Sequence, residues 1–204
     1  MRELVERLVR SRDVERSLGR VARTDSIGLE ASLRALELLV AQGRTDFVPV
    51  ADRLLAHADA EVRTAALRAR AAVEHDAAFL RGLLKDPQEE IRATALVALV
   101  AGGDLSTEDA EAQLDALAQG TPEVRRALAR ALGDVQADPT RRAALERSLL
   151  VLAKDEDIAT RCLAAVSMGH VGAPGFVSVL ITMLEHRAEG LPAVEALAEM
   201  GDVA

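Results

Sequence analysis

Tryptophan and tyrosine are missing altogether, and phenylalanine occurs three times in 204 residues. A core built from this chain is therefore aliphatic and alanine-rich, and aromatic platforms for stacking a base are scarce. The single cysteine, Cys162, excludes an internal disulfide and fits a reducing, cytoplasmic setting. No apolar run reaches the ~18 residues of a membrane-spanning helix. The opening MRELVERLVRSRD alternates charge with Leu and Val, unlike the apolar stretch of a signal peptide. Lysine is nearly missing too, so arginine supplies almost all of the 25 basic side chains, against 33 acidic ones and a net charge of −8. That balance favours solubility and works against bulk attraction to nucleic acid or anionic lipid. No glycine-rich phosphate loop, nucleophile elbow or paired-carboxylate constellation is present.

What is present is helix-forming sequence. Half of the residues are apolar, and Ala and Leu dominate where strands would want alternating β-branched and aromatic residues. Phe79 to Gly103 reads as a complete helical hairpin. Leu80, Leu83 and Leu84 give the first segment one apolar side, and Asp86-Pro87 stops it. Gln88, Glu89 and Glu90 suit the positive end of a second helix, which turns Ile91, Ala95, Ala98 and Leu99 inward and ends at Gly102-Gly103. One such pair cannot bury both of its apolar faces, so it needs neighbours.

The rest of the chain repeats this plan. Residues 2 to 23 read as one or two helices, with the polar patch Ser11 to Asp13 a candidate break. Asp25 or Ser26 caps a helix that stops at Gly43, Asp46 starts the next, and Asp59 caps its partner. Ser106 to Asp109 resembles a capping box, Thr121-Pro122 opens another helix, and Asp138-Pro139 begins a longer one. Asp157 opens a helix expected to end at Gly169, with Gly169 to Gly175 read as a turn. Pro174 to Glu185 and Leu191 to Met200 form the last pair. HADAEVR, DPQEEIR, QGTPEVR and DEDIATR end at Arg63, Arg92, Arg125 and Arg161, at intervals of 29, 33 and 36 residues. Gly133 and Gly169 each follow their arginine by eight. Two helices per unit at this period are the pattern of an α-solenoid.

The Asp-Pro-x-x-Glu-Val-Arg turn followed by an Ala/Leu-rich helix resembles HEAT repeats, including the short units first named from phycobilisome lyases. The resemblance spans about residues 25 to 201, strongest over 54 to 170 and weakest where Leu191-Pro192 replaces the Val-Arg pair. It implies an all-α, right-handed α-α superhelix of about five hairpins behind an N-terminal helical cap (1–24), as one domain over 1–204. It also implies a structural ladder in which Arg63, Arg92, Arg125 and Arg161 meet turn acids such as Asp59, Asp86 and Asp157.

Positions one and five after each ladder arginine lie one turn apart, and in HEAT-like stacks they face the concave side. They are Thr64 and Arg68, Ala93 and Val97, Arg126 and Arg130, and Cys162 and Val166. The small apolar pairs among flanking arginines describe a groove for an acidic or amphipathic protein segment. The alternative is that neighbouring repeats cover Val97 and Val166.

Catalysis finds little support. The adjacent pairs Glu74-His75 and Glu185-His186 reverse the His-Glu order of HEAT-like di-iron hydroxylases, and no cluster has metal-ligand spacing. No cofactor is expected. Seven arginines between Arg2 and Arg23 are the best argument for nucleic acid, but Glu3, Glu6, Asp13 and Glu15 dilute them. The reading is a non-catalytic scaffold or adaptor. An accessory subunit of an enzyme such as a bilin lyase is the alternative, followed by a nucleic-acid binder. The last helix carries only Glu195 and Glu199 as charges, which admits a homodimer through it or a place in a larger array.

Overall fold

The computed structural model describes residues 1–22, 26–134 and 139–201, and among them every regular element is helical. The caps expected at Asp25 and Asp138, and Arg23 with them, lie outside the described residues. The array expected over 1–204 divides after Asp76 into two compact units, each described by itself.

The first unit contains α1 (Arg2–Val9), α2 (Val14–Val21), α3 (Ser26–Ala41), α4 (Val48–Leu54) and α5 (Ala60–Val73). Asp13 separates α1 from α2 because its carboxylate accepts the Arg16 amide at 2.9 Å, capping the new helix and ending the old one. Helix α2 packs on α4 as first helix on first helix, and α3 on α5 as second on second. The pair α2–α3 is thus a further hairpin, and α1 packs on α3. Phe47 is fully buried among Leu18, Leu36, Leu39 and Val50.

The second unit contains four hairpins: α6 (Ala77–Leu83) with α7 (Glu89–Gly102), α8 (Thr107–Ala118) with α9 (Pro122–Gly133), α10 (Pro139–Leu152) with α11 (Ile158–Val171), and α12 (Val177–Met183) with α13 (Gly190–Met200). A short 3-10 turn, Pro174–Phe176, precedes α12. Helices α7, α9, α11 and α13 pack in series, and α8 packs on α10. This is solenoid stacking, in which each hairpin takes its apolar cover from the next. Ser106 caps α8, accepting the Asp109 amide at 3.1 Å while its hydroxyl donates to Asp109 Oδ2 at 2.7 Å.

Gly133, the last residue of α9, and Gly169 both sit where one second helix meets the next. Gly169 does not end α11; it lies inside the helix, which runs to Val171 and stops at Gly172, φ 64°. A Cβ on Gly169 would stand 2.7 Å from Ala196 Cα, and one on Gly133 would stand 2.8 Å from Ser167 Cβ. Each glycine therefore lets one second helix lie directly on the backbone of the next. Ser167 completes the contact by donating its hydroxyl to the Ala129 carbonyl at 2.7 Å. Gly169 to Val171, read from sequence as turn, are helical for this packing reason.

Candidate protein-binding surface

The ladder arginines all bind backbone of their own turns. Arg63 donates to the carbonyls of His57 and Ala58, Arg92 to that of Asp86, Arg125 to that of Gly120, and Arg161 to those of Asp155 and Glu156. Each closes its own inter-helix turn, where carbonyls would otherwise lack donors. In the second unit two of them also reach the following turn. Arg125 Nε lies 2.6 Å from Asp155 Oδ2 and Nη2 donates to Oδ1 at 3.0 Å. Arg161 donates to Glu189 Oε1 from Nε at 2.9 Å and from Nη2 at 2.6 Å. Arg92 meets Glu89 of its own helix at 3.4 Å.

The acids differ in part from those expected. Arg125 pairs with Asp155 rather than Asp157, and the partner of Arg161 is Glu189, which the sequence reading did not single out. Asp86 and Asp155 occupy one column, six residues before their arginine, and each accepts the amide two residues on at 2.9 and 2.8 Å. Asp59 and Asp157 occupy another, four residues before, as N-caps of α5 and α11.

Asp157 also takes up Arg126. The guanidinium donates to both carboxylate oxygens, at 2.8 and 2.9 Å, while Thr160 donates its amide and hydroxyl to Oδ2. These bonds, Arg126 first and Thr160 next, hold the Asp157 carboxyl well below its ordinary value of 3.8. A carboxyl depressed in the folded state adds stability above its unfolded value, lost as pH falls toward the folded one. The resistance of the second unit to urea should therefore fall on acidification below about pH 4, with a shallower pH slope for Asp157→Asn; equal slopes would contradict the pairing.

The remaining candidates divide by repeat. Thr64 is buried with its hydroxyl on the Ala60 carbonyl, and Arg68 is half-buried. Ala93 and Val97 are each 1% exposed and belong, with Leu96 and Val100, to the core shared with α9. The outward groove expected at these two is thus corrected: the +1 and +5 positions of α7 face the next hairpin. Arg130 is exposed, 3.6 Å from Glu90. Cys162 and Val166 stay half-buried. The Cys162 thiol lies 3.4 Å from the Ala188 carbonyl, and burial, then Glu189, pushes its pKa up.

Helix α13 extends this column. Its N-cap is Glu189, so Ala193 stands where the other second helices carry arginine, and Val194 and Ala198 follow Cys162 and Val166. Val194 is 53% exposed and Leu191 68%, and Ile158 on α11 is 51% exposed. The signal was in the sequence: Ala164, Met168 and Gly169 recur 32 residues later as Ala196, Met200 and Gly201. The Leu191-Pro192 pair drew attention away from it.

The family model for HEAT repeats matches residues 110–198, from α8 into α13. Over those residues, less than half of the chain, it is similar to HEAT repeats. The match includes the last hairpin, where the sequence resemblance had been weakest. A comparison with curated proteins found no match. HEAT repeats generally mediate protein–protein interaction and are typically scaffolds rather than catalysts. Among the described residues no group of His, Cys, Asp and Glu is arranged to hold a metal ion, and no helix is long and apolar enough to cross a membrane.

Proposed function

We propose that the chain is a non-catalytic scaffold that holds an amphipathic segment of another protein across α11 and α13. The observation that carries this reading is the apolar column Cys162, Val166, Val194 and Ala198, with Leu191 and Ile158 beside it. It lies on two helices brought together at Gly169, and large aliphatic side chains there remain open to solvent. Such a strip offers anchors at helical spacing to a docked helix. Arg126 is committed to Asp157, so the cation of the rim is Arg130, and the apolar face of the partner matters more than its acidity.

Reversing Arg126 would disturb the α11 cap and confuse loss of binding with loss of structure, so the test uses Val194→Asp and Arg130→Glu. Both are expected to leave helicity and thermal unfolding unchanged. Partners retained by the wild-type chain from its native cell should bind Val194→Asp at least tenfold more weakly, because a carboxylate in an apolar contact costs more than the ~1.4 kcal/mol that a factor of ten represents. Undiminished retention by both variants would retire this surface.

A second reading, self-association through the last hairpin, is favoured by Ile181 and Leu184 of the α12 region, which are exposed like Leu191 and Val194. Sedimentation equilibrium separates the two readings. A dimer abolished by Leu191→Asp supports self-association, and a monomer at all concentrations leaves the face to another protein.

A further inference from the structure

In the first unit a cleft of about 570 Å³ opens between α1 and α2, within the size range of small-ligand sites. Arg7, Arg10 and Arg20 line it, with the hydroxyls of Ser11 and Ser17 and the carboxylates of Glu3 and Glu6. Glu6 is already engaged, accepting from Arg2 at 3.3 Å and lying 3.9 Å from Arg10. Arg7 and Arg20 form no ion pair among the described residues. The arginine-rich start of the chain is thus only partly laced into surface pairs, and the cations left over converge on one cleft from two helices. Ser11 and Ser17 face each other there, their hydroxyl oxygens 2.7 Å apart.

The geometry points to a binding site for a small, hydroxyl-bearing phosphate monoester, with Arg7 and Arg20 on the phosphate and Glu3 accepting from a ligand hydroxyl. Guanidinium groups offer paired donors that match phosphate oxygens, while the two serine protons are already engaged, Ser11 donating to the Asp13 carbonyl at 2.9 Å. The rest of the lining selects the class. The cleft has room for more than a phosphate ion, and a carboxylate in its wall accepts from hydroxyls while repelling a second anionic group. No aromatic side chain lines it, so nothing there stacks a base. A sugar phosphate meets these conditions better than a nucleotide or inorganic phosphate does. The site lies in the other unit from the protein-binding strip and is independent of it.

The test titrates glucose 6-phosphate, glycerol 3-phosphate, inorganic phosphate and AMP into the full chain while amide NMR spectra are recorded. One of the two hydroxylated esters is expected to shift resonances between Arg7 and Arg20 saturably, binding about tenfold more tightly than inorganic phosphate or AMP. The double variant Arg7→Gln/Arg20→Gln should lose at least about tenfold in affinity, since charge-assisted hydrogen bonds are the strong ones, with the rest of the spectrum unchanged. The proposal is overturned if neither ester shifts this segment, if the double variant binds as well as the wild type, or if phosphate or AMP binds as tightly as the esters.

Discussion

Gly169→Leu is expected to destabilise the second unit by about 3 kcal/mol or more, the upper part of the range for forcing atoms into a packed core. The reason is geometric: the first added carbon would already stand 2.7 Å from the Ala196 backbone. No rotamer removes it, so α13 must move off α11. Gly169→Ala is the informative control. Alanine gains about 1 kcal/mol of helix propensity over glycine, but its Cβ is that same carbon, 2.7 Å from Ala196 Cα, and backbone there must give way. The alanine variant should therefore already lie below the wild type, and the leucine variant, with three further carbons to place, well below the alanine one. Thermal unfolding, with hydrogen exchange of the α13 amides to assign the loss, makes the comparison. A leucine variant as stable as the alanine one would show that α11 and α13 do not approach as described.

Arg161→Ala is expected to cost roughly 2 to 3 kcal/mol, because it leaves Glu189, 4% exposed, as a buried charge without its donors. The estimate sits toward the low side for such losses because the Arg161 side chain is still 22% exposed, and solvent screens part of the pair. The carbonyls of Asp155 and Glu156 lose a donor in the same change. Replacing both partners, Arg161→Met with Glu189→Leu, should cost far less than the single variant, since the penalty comes from orphaning one charge rather than from losing a strong net attraction. Urea unfolding followed by probes in α13 tests both. If the double variant proved as unstable as the single one, the ladder would be contributing net stability of its own.

The hairpins were legible because helix-forming composition, Asp or Ser/Thr caps and the arginine ruler all agreed. Agreement between local signals and the global fold is what makes such a reading work. The arginine column was legible for the same reason, but that each arginine donates to carbonyls of its own turn was not. Its acids were less so: Asp155 and Asp157 both flank the turn, and only the path of the chain decides which meets Arg125 and which meets Arg126. Ala93 and Val97 share a sequence column with Cys162 and Val166, yet the first pair is buried and the second half-open. That difference depends on what stacks next, which a periodic pattern does not encode.

By itself, the sequence determined a helical chain poor in aromatic side chains, most of its helix starts, and the column of arginines from Arg63 to Arg161. Tertiary structure decided which glycines end helices and which let them touch, and which carboxylates are spent on ladder arginines. It also decided which aliphatic side chains stay exposed. The physical reason is that caps, turns and periodicity are properties of a few consecutive residues. Burial, by contrast, belongs to pairs of helices some thirty residues apart, and it changes wherever the neighbouring hairpin changes.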